Sequence, residues 1–333
     1  VDLRNELREG NSSLFSRTLE EKLAKTLEAG RQSILFMNRR GLSSYVFCAN
    51  CGMPFHCPNC DLNLTLHRAT ERMVCHVCGH KEDIPRVCPS CGSGEINRFS
   101  AGIEEVHALT AERFPTARIL RLDSDAAASR DTAAKVLETF AKGDADILIG
   151  TRMVSKGLDF PNVALVGVVL AEIGGGLLDY RVEEQIYQLM TQVIGRAGQS
   201  DRGGEAILQT YQPDRYSIRL AVEGDSRAFY ETELAVRRKM GYPPFSRLAR
   251  ILIVNREGEV AERDAYALAN RLKSYLRAKG RTLQFIGPAP CFFSRLNGRF
   301  RWQILLRGAR IVEAMRGFDL GKAVFEPDPV SVL

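Results

Sequence analysis

TAAKVLETFAKGDADILIGT, residues Thr132 to Thr151, reads as a helix over 132–142 that runs into a short buried strand over 146–149. The same alternation extends in both directions from it. Upstream, Leu19, Leu23 and Leu27 recur at helical spacing over 18–28, Gly30 can cap that helix, and residues 33–38 read as a buried strand. A helix over 104–114 and a strand over 118–122 come next, and the quoted stretch is followed by strand 163–170, helix 181–197 and strand 205–210. Helices alternating with short apolar strands predict a mostly parallel sheet covered on both faces.

Between residues 45 and 96 the alternation stops, and four CxxC pairs take its place: Cys48/Cys51, Cys57/Cys60, Cys75/Cys78 and Cys88/Cys91. They account for all but one of the nine cysteines. Each pair sets two thiolates on one tight turn, where they take two corners of a tetrahedron around Zn²⁺, so eight cysteines close two structural sites. Glycine follows the second cysteine in Cys51-Gly52, Cys78-Gly79 and Cys91-Gly92, where backbone amides must curl toward sulfur. Four thiolates also suit an iron centre, which spacing alone leaves open. No N-terminal apolar signal segment is seen, so a disulfide cluster is not expected. His56, His67, His76 and His80 lie in or near the module, but eight cysteines leave them no vacancy.

The chain has 333 residues, 45% of them hydrophobic, enough for two or three globular domains. It contains no run of about eighteen apolar residues, and no membrane span is expected. Its net charge of +6 is unevenly placed: from residue 229 onward 19 Lys and Arg face 10 Asp and Glu. The cysteine module is close to neutral, so a polyanion would favour the C-terminal third.

That third begins with a helix over 229–240, ended by Gly241-Tyr242-Pro243-Pro244-Phe245 because proline cannot continue it. Strand 248–254, helix 259–279, strands 283–286 and 299–306, helix 309–315 and strand 323–326 follow, which makes a small α+β domain. Around an Asn297-Gly298 turn, Phe292, Phe293, Arg295, Arg299, Phe300, Arg301 and Trp302 interleave aromatics with arginines. Such a hairpin suits single-stranded DNA, with bases stacked on rings and guanidinium groups on phosphates. In the alternative reading, Phe292, Phe300 and Trp302 are core residues of a strand pair whose arginines face water.

Two segments carry chemistry. The first, Asp146-Ile147-Leu148-Ile149-Gly150-Thr151 with Lys156-Gly157-Leu158-Asp159-Phe160-Pro161, joins a buried strand to a loop offering a hydroxyl, a cation, a glycine and a carboxylate. The second is Gln192-Val193-Ile194-Gly195-Arg196-Ala197-Gly198-Gln199. In this order and on this topology they resemble motifs V and VI of the second RecA-like lobe of superfamily 2 helicases. The resemblance implies that Thr151, Lys156 and Gly157 meet the nucleic-acid backbone, that Asp159 links strand and nucleotide sites, and that Gln192 and Arg196 reach the nucleotide. Arg196 would be the arginine finger, which stabilises charge spread over a transferred phosphoryl group once domains close.

A second lobe interrupted just after Phe36-Met37-Asn38-Arg39-Arg40-Gly41 by four CxxC pairs resembles the primosomal protein N′ (PriA) family of bacterial replication-restart DNA helicases. Similar to that family are also Gln209-Thr210-Tyr211, Tyr242-Pro243-Pro244-Phe245 and Gly287-Pro288-Ala289-Pro290 with Arg301-Trp302-Gln303. The implied organisation is a RecA-like lobe in two pieces, 1–47 and 96–215, an inserted two-zinc module over 48–95 and a C-terminal α+β domain over 228–333. In the family the pairs nest: Cys48, Cys51, Cys88 and Cys91 would hold one zinc, and Cys57, Cys60, Cys75 and Cys78 the other. The implied activity is ATP- and Mg²⁺-dependent 3′-to-5′ unwinding at forked and single-stranded DNA. Other primosome proteins and single-strand-binding protein would be its partners, in the bacterial cytoplasm at the nucleoid.

Two features set limits on that activity. The family's motif VI ends in a second arginine where this chain has the neutral Gln199, which cannot reproduce a phosphate contact. A non-catalytic scaffold that binds DNA and partner proteins is therefore the alternative. No GxxxxGK[ST] loop and no DExx-type carboxylate pair occurs in the sequence, although both are needed to hold ATP and Mg²⁺. The chain is thus expected to be the C-terminal half of a longer protein and not to hydrolyse ATP alone.

Overall fold

The computed structural model describes residues 1–37, 45–59, 64–67, 71–75, 78–99, 102–122, 130–151, 160–171, 180–197 and 203–329. They divide into two compact units. The first comprises Val1–Pro54, Pro85–Gly175 and Glu183–Phe229; the second comprises Phe55–Ile84, Gly176–Val182 and Tyr230–Leu333.

The first unit is built on a five-stranded sheet in the order Glu205–Leu208, Val163–Leu170, Gln32–Met37, Ile147–Gly150, Ile119–Leu122, with every neighbouring pair parallel. All six residues of Gln32–Met37 are buried, as a central strand covered on both faces requires. Alternation sends Leu35, Met37, Ile147, Ile149, Leu165 and Val169 to one face, where they pack with Leu19 and Leu23 of helix Arg17–Glu28 and Ile103 and Val106 of helix Ile103–Arg113. Ser16 caps the first of these helices by accepting the Leu19 amide at 3.2 Å. Helix Arg130–Ala141 packs on Ile119–Leu122, and helix Val182–Ala197 buries Ile186, Met190 and Val193 along one side.

Each strand and helix expected of this α/β lobe is present. Two short helices were not expected. Leu3–Arg8 is capped by Asp2. Tyr216–Glu223 lies between the expected domains 96–215 and 228–333, and buries Ser217, Ile218, Leu220 and Ala221 before Gly224 ends it in the left-handed conformation. Eight residues are too few for helical periodicity to stand out from their neighbours.

The second unit has an antiparallel sheet in the order Gln284–Leu296, Arg299–Gly308, Arg247–Asn255, Val324–Pro327. Helix Gly258–Ala278 lays Ala261, Ala265, Leu268, Ala269, Leu272 and Leu276 over one face. The core there is closed by Ala249, Ile251, Ile253, Ile304 and Leu306. Asn297 (φ +50°) and Gly298 (φ +74°) turn the long hairpin, both in the conformation that a two-residue hairpin loop demands. The first strand of that hairpin runs through to Leu296, where the sequence reading stops at 286. Among the described residues no helix is long and apolar enough to cross a membrane.

Candidate functional site

The cysteine module enters and leaves the lobe through one antiparallel pair, Tyr45–Cys48 with Ile96–Phe99, in which Cys48 faces Ile96. Beyond this stem, strands Thr65–His67, Arg72–Val74 and Lys81–Asp83 form a small sheet of their own. The sulfurs of Cys48, Cys51, Cys88 and Cys91 lie within 4.8 Å of one another, as do those of Cys57, Cys75 and Cys78. Cys60 lies outside the described residues.

Cys48 to Cys91 and Cys51 to Cys88 are each 3.6 Å apart, and Cys57 to Cys78 is 3.5 Å. A tetrahedron with zinc–sulfur bonds of about 2.3 Å has edges of about 3.8 Å, so the donor sets fit Zn²⁺ with little adjustment. The turns share one pattern. The amides of Gly52, Gly79 and Gly92 donate to the carbonyls of Cys48, Cys75 and Cys88 at 2.8–2.9 Å, and the cysteine amides reach forward to Met53, His80 and Ser93.

Electrostatics point to the same ligand. Burial pushes the Cys51 and Cys57 thiols up to about 12, so these two stay protonated unless a cation displaces their protons. Cys91 is exposed and falls to about 6, chiefly because the Ser93 amide donates to its sulfur. A bound dication supplies the charge that holds all four as thiolates, with no open position left for chemistry.

The two cysteine clusters are anchored in different units. In the first, Arg4 donates to the Cys51 carbonyl at 3.4 Å and Arg8 to that of Asn50 at 2.7 Å, while Phe47 packs against Tyr211 with ring centroids 4.4 Å apart and planes tilted by 39°. A β-carbon on Gly52 (φ +74°) would stand 2.1 Å from the Tyr211 carbonyl oxygen. In the second, a β-carbon on Gly79 (φ +81°) would meet the Pro288 carbonyl oxygen at 3.3 Å. Residues 48–95 therefore contribute to two packed units, each holding one cluster.

Of the residues expected to carry chemistry in the lobe, Thr151 is buried directly after strand Ile147–Gly150 and donates its amide to the Leu122 carbonyl at 3.3 Å. That is the carboxyl end of a parallel strand, where open α/β sheets bind ligands. Lys156, Gly157, Asp159 and Gln199 lie outside the described residues. Gln192 and Arg196 stand one helical turn apart near the end of Val182–Ala197, exposed and half-buried respectively, so they share one face. In the hairpin, Arg295 and Arg299 are exposed and Arg301 is half-buried. Arg295 lies over the Phe300 ring at 5.3 Å. Trp302 is half-buried, packs against the helix-facing core and lies 6.0 Å from Tyr266.

Several residues that shape the site carry no motif. Gln209 is fully buried, accepting from the Ser16 amide at 2.7 Å and donating to the carbonyls of Leu14 and Val169 at 2.8 Å each. It ties the chain's beginning to the sheet. Glu183, at the start of the helix bearing Arg196, accepts from Arg215 and from the Ser217 hydroxyl. The only signal for these in sequence is a polar side chain inside an apolar run.

Three domain families match the chain in order: the PriA DNA helicase Cys-rich region (CRR) domain over residues 57–82, the helicase conserved C-terminal domain over 92–201, and the primosomal protein N C-terminal domain over 238–323. The replication restart protein PriA of Bacillus subtilis is 42% identical across 92% of this chain, that of Synechocystis 35% across 100%, and that of Chlamydia trachomatis 36% across 90%. These matches take up 38%, 41% and 40% of those proteins, so the chain spans about two-fifths of the curated relatives' length. The cysteine clusters together with the matched Cys-rich region support zinc binding.

Proposed function

This chain belongs to the replication restart protein PriA family, and we propose that it forms the second motor lobe, zinc module and C-terminal domain of an ATP-driven 3′-to-5′ DNA helicase. The observation that carries the reading is the pairing of two motifs on one parallel sheet: Thr151 at the carboxyl end of Ile147–Gly150, and Gln192 with Arg196 on one face of Val182–Ala197. Thr151, Lys156 and Gly157 hold the DNA backbone, Asp159 links that contact to the nucleotide, and Gln192 and Arg196 meet the phosphates when a first lobe closes. That first lobe supplies the phosphate loop and the Mg²⁺ ligands, which are absent from this sequence. Positive charge developing no bond of its own is what Arg196 offers: it stabilises the transferred phosphoryl group, so turnover depends on closure.

Cys57, Cys60, Cys75 and Cys78 hold the second zinc in this reading, as Cys48, Cys51, Cys88 and Cys91 hold the first. The neutral module favours protein contacts, with other primosome proteins or single-strand-binding protein, while the basic C-terminal domain meets forked and single-stranded DNA through Arg295, Arg299, Arg301 and Trp302. The setting is the bacterial cytoplasm at the nucleoid. Gln199 favours a second reading, a scaffold that kept the fold and lost the motor. Strand separation by the full-length protein tests the first: duplexes with a 3′ single-stranded tail are unwound in the presence of ATP and those with a 5′ tail are not. Unwinding of neither would favour the scaffold.

A further inference from the structure

Helix Gly258–Ala278 turns its alanines and leucines to the sheet, yet one large ring on it faces out: Tyr266 is 49% exposed. Its ring lies 6.0 Å from that of Trp302 with the planes 58° apart, the spacing of a tilted aromatic pair, so the indole on the hairpin holds it in place. From Trp302 an aromatic row continues toward the hairpin tip. Phe300 stands two residues earlier on the same face of strand Arg299–Gly308, about 6.8 Å along it at 3.4 Å per residue. Arg295, the direct partner of Phe300 across the hairpin, sets its guanidinium 5.3 Å from the centre of that ring. All four residues belong to the second unit.

The rings are not equally open. Phe300 has Arg295 over it and rests against the start of the helix, where a β-carbon on Gly258 would stand 3.3 Å from the ring. Trp302 is half-buried and packs on the helix-facing core. Tyr266 therefore presents the most open ring of a row whose other end is an exposed cation, Arg295. A neutral ring and a guanidinium on one surface suit a single strand, which offers a base to the first and a phosphate to the second. A duplex has its base faces covered by one another.

We propose that Tyr266 is a base-stacking residue for single-stranded DNA, held by Trp302, with Arg295 taking a phosphate of the same strand. The stacking role rests on the DNA-binding reading of this domain given above, and adds to it a residue that lies outside the hairpin.

Equilibrium binding of a labelled oligothymidylate to the zinc-loaded 333-residue chain over a range of salt tests it, with the emission of Trp302, the chain's single tryptophan, as a second signal. Bound DNA quenches Trp302 in the parent. Tyr266→Ala binds about tenfold more weakly at every salt concentration, with the slope of log K against log salt unchanged, because a neutral ring releases no counterion. Tyr266→Phe binds as the parent, and Tyr266→Leu, which keeps an apolar contact with Trp302 but has no aromatic face, binds as weakly as Tyr266→Ala. Affinity of Tyr266→Ala within twofold of the parent, recovery in Tyr266→Leu, or binding that leaves Trp302 emission unchanged would overturn the proposal. A parent that does not bind, or whose binding survives alanine at Arg295, Arg299 and Arg301, would sink the DNA-binding reading and the stacking role with it. Binding lost with the arginines but parental in Tyr266→Ala would remove the stacking role alone.

Discussion

A β-carbon on residue 52 would stand 2.1 Å from a carbonyl oxygen, in a backbone conformation that side chains rarely adopt. Gly52→Ala is therefore expected to destabilise the chain by at least about 1–3 kcal/mol and to lower its zinc content from two per chain toward one. Thermal unfolding and metal analysis read both effects; a parental melting temperature with two zincs would show that the knuckle tolerates displacement from Tyr211. Asp146 gives a pH dependence. The Arg118 guanidinium at 2.7 Å and the Arg118 amide hold its carboxyl below the usual 3.8. Because the folded value is the depressed one, the contribution is complete above about pH 4 and is lost as pH falls through the folded value. Asp146→Asn should thus be less stable than the parent at pH 7, with the gap narrowing as pH falls below about 4; a gap that does not change with pH would exclude the ion pair as the cause. The eight cysteines were legible in sequence because thiolate spacing states its own chemistry, whereas the docking of Gly52 on Tyr211 was not, since the partner is distant in the chain and contributes only a carbonyl.

Among the elements, the hairpin Gln284–Leu296 with Arg299–Gly308 was open to two readings, and the packing of Trp302 and the exposure of the arginines bear on the choice between them. Trp302 shares the helix-facing side with Ile304 and Leu306, whose burial is complete, while Arg295 and Arg299 are exposed near the Asn297-Gly298 turn. Cation contacts to phosphate thus have freer access than stacking on the indole. Replacing Arg295, Arg299 and Arg301 by alanine is expected to weaken binding of single-stranded DNA and to lower the slope of log K against log salt by about 2, at about 0.7 per phosphate contact. An unchanged slope would mean that DNA is met elsewhere. The lobe's strands were readable because parallel strands buried on both faces are nearly continuous apolar runs, as in Gln32–Met37 and Val163–Leu170. Helix Tyr216–Glu223 was not, because tertiary burial of Ile218 and Leu220 holds it and its eight residues show too little periodicity.

For the whole molecule, the sequence gives an inserted module and a basic C-terminal third, while the fold assigns one cysteine cluster to each compact unit. That division was illegible, since residue spacing records which thiols pair and says nothing of which domain they pack on. It makes the two cysteine clusters separable structural elements. The central claim is that Arg196 completes an ATPase site that a first lobe begins. ATP hydrolysis by the full-length protein, with and without forked DNA, beside its Arg196→Ala and Gln199→Arg variants, tests it most directly. DNA-stimulated turnover in the parent that falls about a hundredfold or more in Arg196→Ala is the predicted result. Turnover that appears only in Gln199→Arg, or that survives in Arg196→Ala, would contradict it.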